Sequence, residues 1–475
     1  MDTNRRDFLK GAFWMGTAAA MVGCTSGKAK RCCPGGAPGS MMGYADKPFK
    51  ELRVGVVGLG RGSLGINMGQ FPFVKVTAIC DITPARVDRA LAKCESLKLP
   101  KPKVFTGSPE AWKRMCEWDQ VDLVYNGTPW QLHTPIALYA MECGKHVVTE
   151  VPSALTLDDC WNLVETSERT RRHCMQLENC CYGETEMLAL NLCRQGLLGT
   201  LVHGEGAYIH DLRKSCYGKF DPKTGTGGYW DYWRLCYNRA HGGNQYPTHG
   251  LGPICIDMDI NRGDNFDYLV SVDSLQAGFQ EYGKGKFGEG SPEAGWKVKM
   301  GDMNTTIIKT KLGRTIMVQH NVTGPRPYSR INLISGTKGI LQDYPLRIAL
   351  ETELGKGFHD YDDKVTAELR KKYKHALWKT RDELAKIMPV GGHGGMDILM
   401  VLRLAWCLQM GLPLDMNVYD LAAWCSLNEL TEISADNRGR TVDVPDFTRG
   451  AWKTQKPWGF DDVNLSKMGF AVKAG

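Results

Sequence analysis

Leu52-Arg53-Val54-Gly55-Val56-Val57-Gly58-Leu59-Gly60-Arg61-Gly62-Ser63-Leu64-Gly65 is the stretch that decides how this chain is read. A valine-rich apolar run enters closely spaced glycines, the pattern of a buried parallel strand turning tightly into a helix. In such a turn Gly58 permits the reversal, Gly60 lets backbone approach a pyrophosphate, and the helix that follows offers free N–H groups to the phosphates. Ser63 stands where the usual third glycine falls, with Gly62 and Gly65 on either side. The next apolar run, Phe73 to Cys80, ends in Asp81, about twenty residues beyond the turn, where a carboxylate accepts ribose hydroxyls. An acid there repels a 2′-phosphate, which selects NAD over NADP. Further strands are predicted over Val121 to Asn126 and His146 to Glu150, with a helix over Thr134 to Cys143 between them. The alternation is that of a doubly wound parallel sheet, and residues 48–178 are assigned to a Rossmann nucleotide-binding domain.

Past this unit the pattern changes, and residues 179–475 are assigned to a second, α+β domain. Met187 to Gly196 reads as a helix, and Gly204 to His210, Tyr268 to Ala277, Thr305 to Lys311, Thr315 to Asn321 and Arg330 to Ser335 read as strands. They follow one another without intervening helices, so an open, mostly antiparallel sheet is predicted. The loop from Gly227 to His249 is dense in Tyr, Trp, Arg and Gly, a make-up suited to ligand contacts on a rigid sheet. A charged helix is predicted over Tyr361 to Lys386. Helices over Met396 to Gly411 and Val418 to Ala435 are expected to pack back on the first domain.

Residues 1–47 are read as signal and linker. Asn4-Arg5-Arg6-Asp7-Phe8-Leu9-Lys10 and the apolar stretch Gly11 to Val22 have the form of a twin-arginine export signal. That route carries folded proteins, so a nucleotide can travel inside the fold to the periplasm or cell envelope. Met21-Val22-Gly23-Cys24 resembles a lipoprotein processing site, which makes Cys24 the candidate lipid anchor and the one expected membrane contact. A net charge of +7 over 475 residues is modest, and no dense basic run with interleaved aromatics occurs, so nucleic acid is not an expected partner. Of the 17 cysteines, Cys80, Cys143, Cys193, Cys255, Cys407 and Cys425 lie inside apolar patterns, as buried thiols do. The pairs Cys32-Cys33 and Cys180-Cys181 lack Cys-x-x-Cys partners, and no metal site is expected.

Polar residues at predicted strand ends are the candidates for chemistry. Thr128-Pro129-Trp130-Gln131-Leu132-His133 and Glu150-Val151-Pro152 each follow a parallel strand, where nucleotides bind in such sheets, and His133 is read as facing the ligand. Leu177-Glu178-Asn179-Cys180-Cys181-Tyr182 brings Asn179 and Tyr182 beside the expected nicotinamide. Gln245-Tyr246-Pro247-Thr248-His249-Gly250 fixes a histidine between Pro and Gly, which suits a positioned acid or base. Asp231-Tyr232-Trp233-Arg234 and Gly324-Pro325-Arg326-Pro327-Tyr328 each add an aromatic face and an arginine, which suit a sugar ring and are equally ordinary packing and surface-pairing material.

With Gly391-Gly392-His393-Gly394-Gly395-Met396-Asp397 and Pro445-Asp446-Phe447-Thr448-Arg449-Gly450, these motifs resemble, in collinear order, glycoside hydrolase family 109. Its members are NAD-dependent α-N-acetylgalactosaminidases within the Gfo/Idh/MocA-type oxidoreductase superfamily. Val151 stands where most superfamily dehydrogenases carry a catalytic lysine, and Gln245 where they often carry an aspartate. The resemblance implies cofactor contacts at Arg61, Gly62, Asp81, Trp130, Gln131, Leu132, His133, Glu150, Val151 and Asn179, beside Gly58 and Gly60. It implies sugar contacts at Tyr208, Arg234, Tyr246, Pro247, Thr248, His249 and Tyr328. The implied reaction is retaining hydrolysis by oxidation at C3, elimination, addition of water and reduction, with NAD regenerated. His249 and Tyr182 are the candidates for proton transfer, Tyr208 a further one. The alternative is an NAD-dependent sugar dehydrogenase of the same superfamily. Oligomeric state is left open, although exposed sheet faces in this superfamily pair into homo-oligomers.

Overall fold

The computed structural model describes residues 39–351, 359–457, 460 and 462–471. The twin-arginine segment and Cys24 lie outside these residues. Strands β1 (Leu52–Val57), β2 (Val74–Cys80), β3 (Lys103–Phe105), β4 (Leu123–Asn126), β5 (His146–Thr149) and β6 (Cys174–Gln176) form one parallel sheet. Their order is β3-β2-β1-β4-β5-β6, so the winding reverses between β1 and β4 and opens a crevice at their carboxyl ends. β3 and β6 escape the sequence reading because three residues carry too short a pattern to separate from loop. The glycine turn also differs in detail. A Cβ at Gly62 would lie 2.7 Å from Val56, and one at Gly65 2.8 Å from the Tyr125 ring. These two glycines therefore provide the close helix–strand packing usually given to the third glycine, and Ser63 is free to be exposed.

The second sheet begins with β7 (Leu201–Ile209). After a short ribbon, β8 (Phe220–Asp221) with β9 (Thr226–Gly227), it continues through β10 (Phe266–Asp273), β11 (Asn304–Thr310) and β12 (Thr315–Asn321). It is completed by β13 (Leu333–Gly336), β14 (Gly339–Gln342), β15 (Arg347–Leu350) and β16 (Val442–Asp443), in the order β15-β14-β13-β7-β12-β11-β10-β16. All neighbours are antiparallel except β7 and β12, which run parallel. β11 alternates buried and accessible residues, as a sheet with one covered face does. The predicted strand from Tyr268 stops at Asp273, because the Asp302 carboxylate accepts from the N–H groups of Ala277 and Gly278 and starts the helix Gly278–Phe287 there. The helix expected over Tyr361 to Lys386 is two, Asp363–Lys372 and Ala376–Leu384, the second begun by His375, whose ring nitrogen accepts from Leu377 N–H. The stretch from Val418 likewise divides into Val418–Cys425 and Leu427–Asp436.

The C-terminal helices lie against the first domain. Phe49 N–H donates to Leu408 O, the Cys425 thiol to Gln176 Oε1 and the Asn428 amide to Ala154 O. Among the described cysteines all are free thiols. Cys143 and Cys193 are only half-buried, unlike the other four named above.

Candidate active site

The site forms where the crevice of the first sheet meets the inner face of the second. On the nucleotide side the cradle is backbone. Gly58 has φ +82°, and a Cβ there would sit 2.5 Å from the Gly127 backbone. Gly60 is exposed at the tip of the turn. Asp81, at the end of β2, is oriented by the N–H groups of Leu59 and Thr83, each at 2.8 Å. Arg86 Nη1 lies 4.0 Å from its carboxylate. The ribbon of the second domain closes over this end: Arg86 covers the Phe220 ring at 4.7 Å, and Arg89 donates to Gly225 O at 2.8 Å. A dinucleotide fits this cradle, with bare backbone for its phosphates and a carboxylate for its ribose.

At the other end of the crevice Glu150 accepts from Tyr125 O–H at 2.7 Å. Burial raises the Glu150 carboxyl above its ordinary value, against that hydrogen bond and the charge of Arg61. Asn179 donates to Asp397 at 2.6 Å, and His393 Nδ1 lies 2.8 Å from the same carboxylate, which raises the pKa of His393. The glycine-flanked His393 thus joins the Asn179 end of the crevice. Its motif was visible in the sequence, but its neighbours were not.

The pocket side is made of side chains. β7 and the helix Thr248–Asp257 meet glycine to glycine: a Cβ at Gly206 would lie 2.0 Å from Gly250 O, and one at Gly250 2.2 Å from Ala207 N. That approach sets His249 beside Tyr208, ring centroids 5.2 Å apart. The loop leading to His249 is pinned to the helix Leu427–Asp436, where Glu432 takes His241 Nδ1 at 2.9 Å and Gly242 N–H at 3.1 Å, and Thr431 takes Asn244 N–H at 2.8 Å.

His249 Nδ1 lies 2.7 Å from Oε1 of the fully buried Glu178. A carboxylate there fixes the proton on Nδ1 and leaves Nε2, which has no hydrogen bond to the described residues, as a lone-pair donor. Burial works to raise the Glu178 carboxyl, but His249 and the Cys180 N–H hold it below its ordinary value. Around this dyad stand Tyr208, Tyr246 and Trp130, with Trp130 stacked on Tyr246 at 5.7 Å. Arg234 lies 4.7 Å over Trp130 and 5.0 Å over Tyr246. It donates to the Tyr229 hydroxyl oxygen, while its buried Nε and Nη2 have no hydrogen-bond partner among the described residues. Tyr208 is hydrogen-bonded to His210 Nδ1 at 3.0 Å, and burial pushes its phenol up to about 12. Tyr328 faces His210 edge-on at 5.2 Å and is held by Arg330, which is paired with buried Glu186. Pro247 and Thr248 begin the helix that carries His249, and the Thr248 hydroxyl is buried beside the Glu178 carboxylate.

Two expectations are corrected. Tyr182 does not reach this group: it is fully buried, and its O–H donates to Asp415, itself paired with Arg403. His133 does not face the crevice with its ring, because Nδ1 and Nε2 lie 2.7 Å from the carbonyls of Pro152 and Thr128. It braces the loops after β4 and β5, and burial lowers its pKa. Val151 is buried in the cluster with Trp130, Tyr208 and Tyr246, while Leu132 is half-buried and Gln131 exposed. Glu178, His210 and Arg86 were not among the expected site residues; their roles come from partners distant in sequence.

A nucleotide crevice facing a histidine–carboxylate dyad and an aromatic box defines an enzyme on the NAD-dependent oxidoreductase plan. Residues 52–177 match the model of the oxidoreductase family with an NAD-binding Rossmann fold, and residues 182–454 that of the glycosyl hydrolase 109 C-terminal domain. The chain belongs to glycosyl hydrolase family 109; it is a glycoside hydrolase and NAD is its cofactor. It is 44% identical to a glycosyl hydrolase family 109 protein of Shewanella pealeana, covering 97% of this chain and 99% of that one. It is 46% identical to an alpha-N-acetylgalactosaminidase of Bacteroides fragilis, over 87% of this chain and 96% of the relative. In fold it is similar to a levoglucosan dehydrogenase solved with NADH and L-sorbose, at TM-score 0.61 and 19% identity, over 84% of this chain and 100% of that one.

Proposed function

We propose that the protein hydrolyses terminal α-linked N-acetylgalactosamine with retention of configuration, through transient oxidation of the sugar at C3. The observation that carries this reading is the His249–Glu178 dyad turned into an aromatic box where two buried Arg234 nitrogens have no hydrogen-bond partner among the described residues. The names of relatives at 43–46% identity support the choice of sugar. Gly58, Gly60, Arg61 and Gly62 hold the phosphates, Asp81 the ribose, and Glu150, Val151 and Asn179 border the nicotinamide. Bound NAD supplies a reversible hydride acceptor for C3, which acidifies the C2 proton.

Tyr208, Tyr246 and Trp130 take the apolar face of the pyranose, and Arg234 Nε and Nη2 donate to its hydroxyl or acetamide oxygens. Tyr328 closes the outer side. His249 Nε2 accepts the C2 proton, and the buried Glu178 carboxylate steadies the imidazolium that results. Tyr208, protonated at neutral pH and linked to His210, serves as proton relay at the glycosidic oxygen. Tyr182, committed to Asp415, takes no part.

The test is release of p-nitrophenol from the p-nitrophenyl α-glycoside of N-acetylgalactosamine by nucleotide-loaded protein with no NAD added. Net NADH formation on free sugar, without glycoside cleavage, contradicts the reading and favours a dehydrogenase.

The same proposal includes export by the twin-arginine route and lipidation of Cys24, on the strength of Arg5-Arg6 and Met21-Val22-Gly23-Cys24. The mass of the mature N-terminus in fractionated cells tests both. Self-association is assigned to the outer face of the second sheet, where Tyr268, Val272 and Ile307 are exposed, and sedimentation tests it.

A further inference from the structure

The dyad has a third neighbour that the reaction does not use. Cys180 sits on the turn Asn179–Tyr182 that follows Glu178, and its thiol is buried. One ligating atom each from Glu178, Cys180 and His249 all lie within 4.8 Å of one another. Oε2 of Glu178 is buried and accepts no hydrogen bond of good geometry among the described residues, although the Thr248 hydroxyl stands beside the carboxylate. The Cys180 thiol lies 3.5 Å from Asn179 Oδ1 and within hydrogen-bond reach of the Glu178 carboxylate, the contact a cation would replace. Carboxylate, thiolate and imidazole together are the donor set of a borderline-soft divalent cation, and two negative ligands balance its charge. The cysteine spacing alone excluded a metal site, because it carries no information on a Glu and a His that the fold brings alongside.

We propose that Glu178, Cys180 and His249 form a site for a divalent cation of the zinc type, and that its occupancy switches hydrolysis off. The cation binds the Nδ1 lone pair, the Glu178 carboxylate and the Cys180 sulfur. The thiol proton leaves to solvent and no electron is transferred. The proton now on Nδ1 moves to Nε2, so the imidazole stays neutral but presents an N–H where the sugar needs a base. His249 keeps some exposure whereas Glu178 and Cys180 do not, so the cation enters from the sugar side and competes with substrate. The inhibition rests on the function proposed above; the binding does not.

The experiment titrates the NAD-loaded protein with Zn²⁺ for activity and with Co²⁺ for its absorption spectrum, alongside Cys180→Ser. The expected result is a thiolate-to-cobalt charge-transfer band in the wild type that Cys180→Ser lacks. Zn²⁺ inhibition of the wild type is reversed by chelator, and the midpoint for Cys180→Ser is higher by about tenfold or more, with metal-free hydrolysis retained. Absence of the cobalt band from the wild type, or equal zinc sensitivity in the variant, overturns the proposal. A wild-type band that depends on Cys180, in a protein that cleaves no glycoside, keeps the binding site and overturns the function instead.

Discussion

His133 and His249 occupy matching places in the two halves of the molecule, each in the first turn of a helix that follows a proline-bearing loop beside the crevice, yet their surroundings oppose each other. Both ring nitrogens of His133 are taken up by the Thr128 and Pro152 carbonyls. His249 gives one nitrogen to Glu178 and keeps the other, in a pocket where two Arg234 nitrogens also have no hydrogen-bond partner among the described residues. Burying polar atoms without partners costs about 1–3 kcal/mol each, so those that line this pocket favour a ligand able to satisfy them. The satisfied histidine is scaffold; the half-satisfied one is the proposed base.

This contrast can be broken most readily at His249. His249→Ala is expected to lower kcat by about 10²- to 10⁴-fold with NAD still bound; steady-state rates within about tenfold of wild type would place the base elsewhere. Next comes Arg234→Met, which keeps bulk under the aromatic rings but removes the donors. Loss of hydrogen bonds from a charged group predicts about 1.5–3 kcal/mol of substrate binding, a KM rise of about 10- to 150-fold, with an unaltered melting temperature. His133→Ala is expected to do the reverse. It deprives one of the Thr128 and Pro152 carbonyls of the ring N–H that it accepts from, at about 1–3 kcal/mol of stability in thermal or urea unfolding, while KM for the sugar holds.

The smallest effect concerns the loop that delivers His249. Burial alone would raise the Glu432 carboxyl, but hydrogen bonds from His241, Lys299 and Gly242 N–H bring it from its ordinary 4.5 to about 2. The folded state then binds fewer protons than the unfolded one, so this stabilisation is present above about pH 4.5 and is lost as pH falls towards 2. Glu432→Gln is expected to flatten the acid side of the stability profile over that window. An unchanged profile would mean the loop is held by other contacts.

What could be read from the chain follows the range of the interactions. The glycine turn, Asp81 and the strand series are local patterns, and they led directly to the parallel sheet. His249 stood out because Pro247 and Gly250 mark its backbone. Glu178, its partner, lies 71 residues away, and no local pattern joins the two. Tyr182 was drawn into the site by its neighbours Glu178 and Asn179, but a single tight turn carries it to the opposite side, into the Asp415–Arg403 pair. His133 misled for a related reason: a polar side chain at a strand end can as well tie two loops as touch a ligand. The parallel pairing of β7 with β12 was hidden because strand direction depends on connections over a hundred residues long.

The central claim is that a histidine on a buried carboxylate removes a sugar proton made acidic by transient oxidation next door. Hydrolysis run in deuterated water tests it most directly, with the released N-acetylgalactosamine examined by NMR or mass spectrometry. The account predicts deuterium at C2 of the product; cleavage that leaves C2 fully protiated would contradict it.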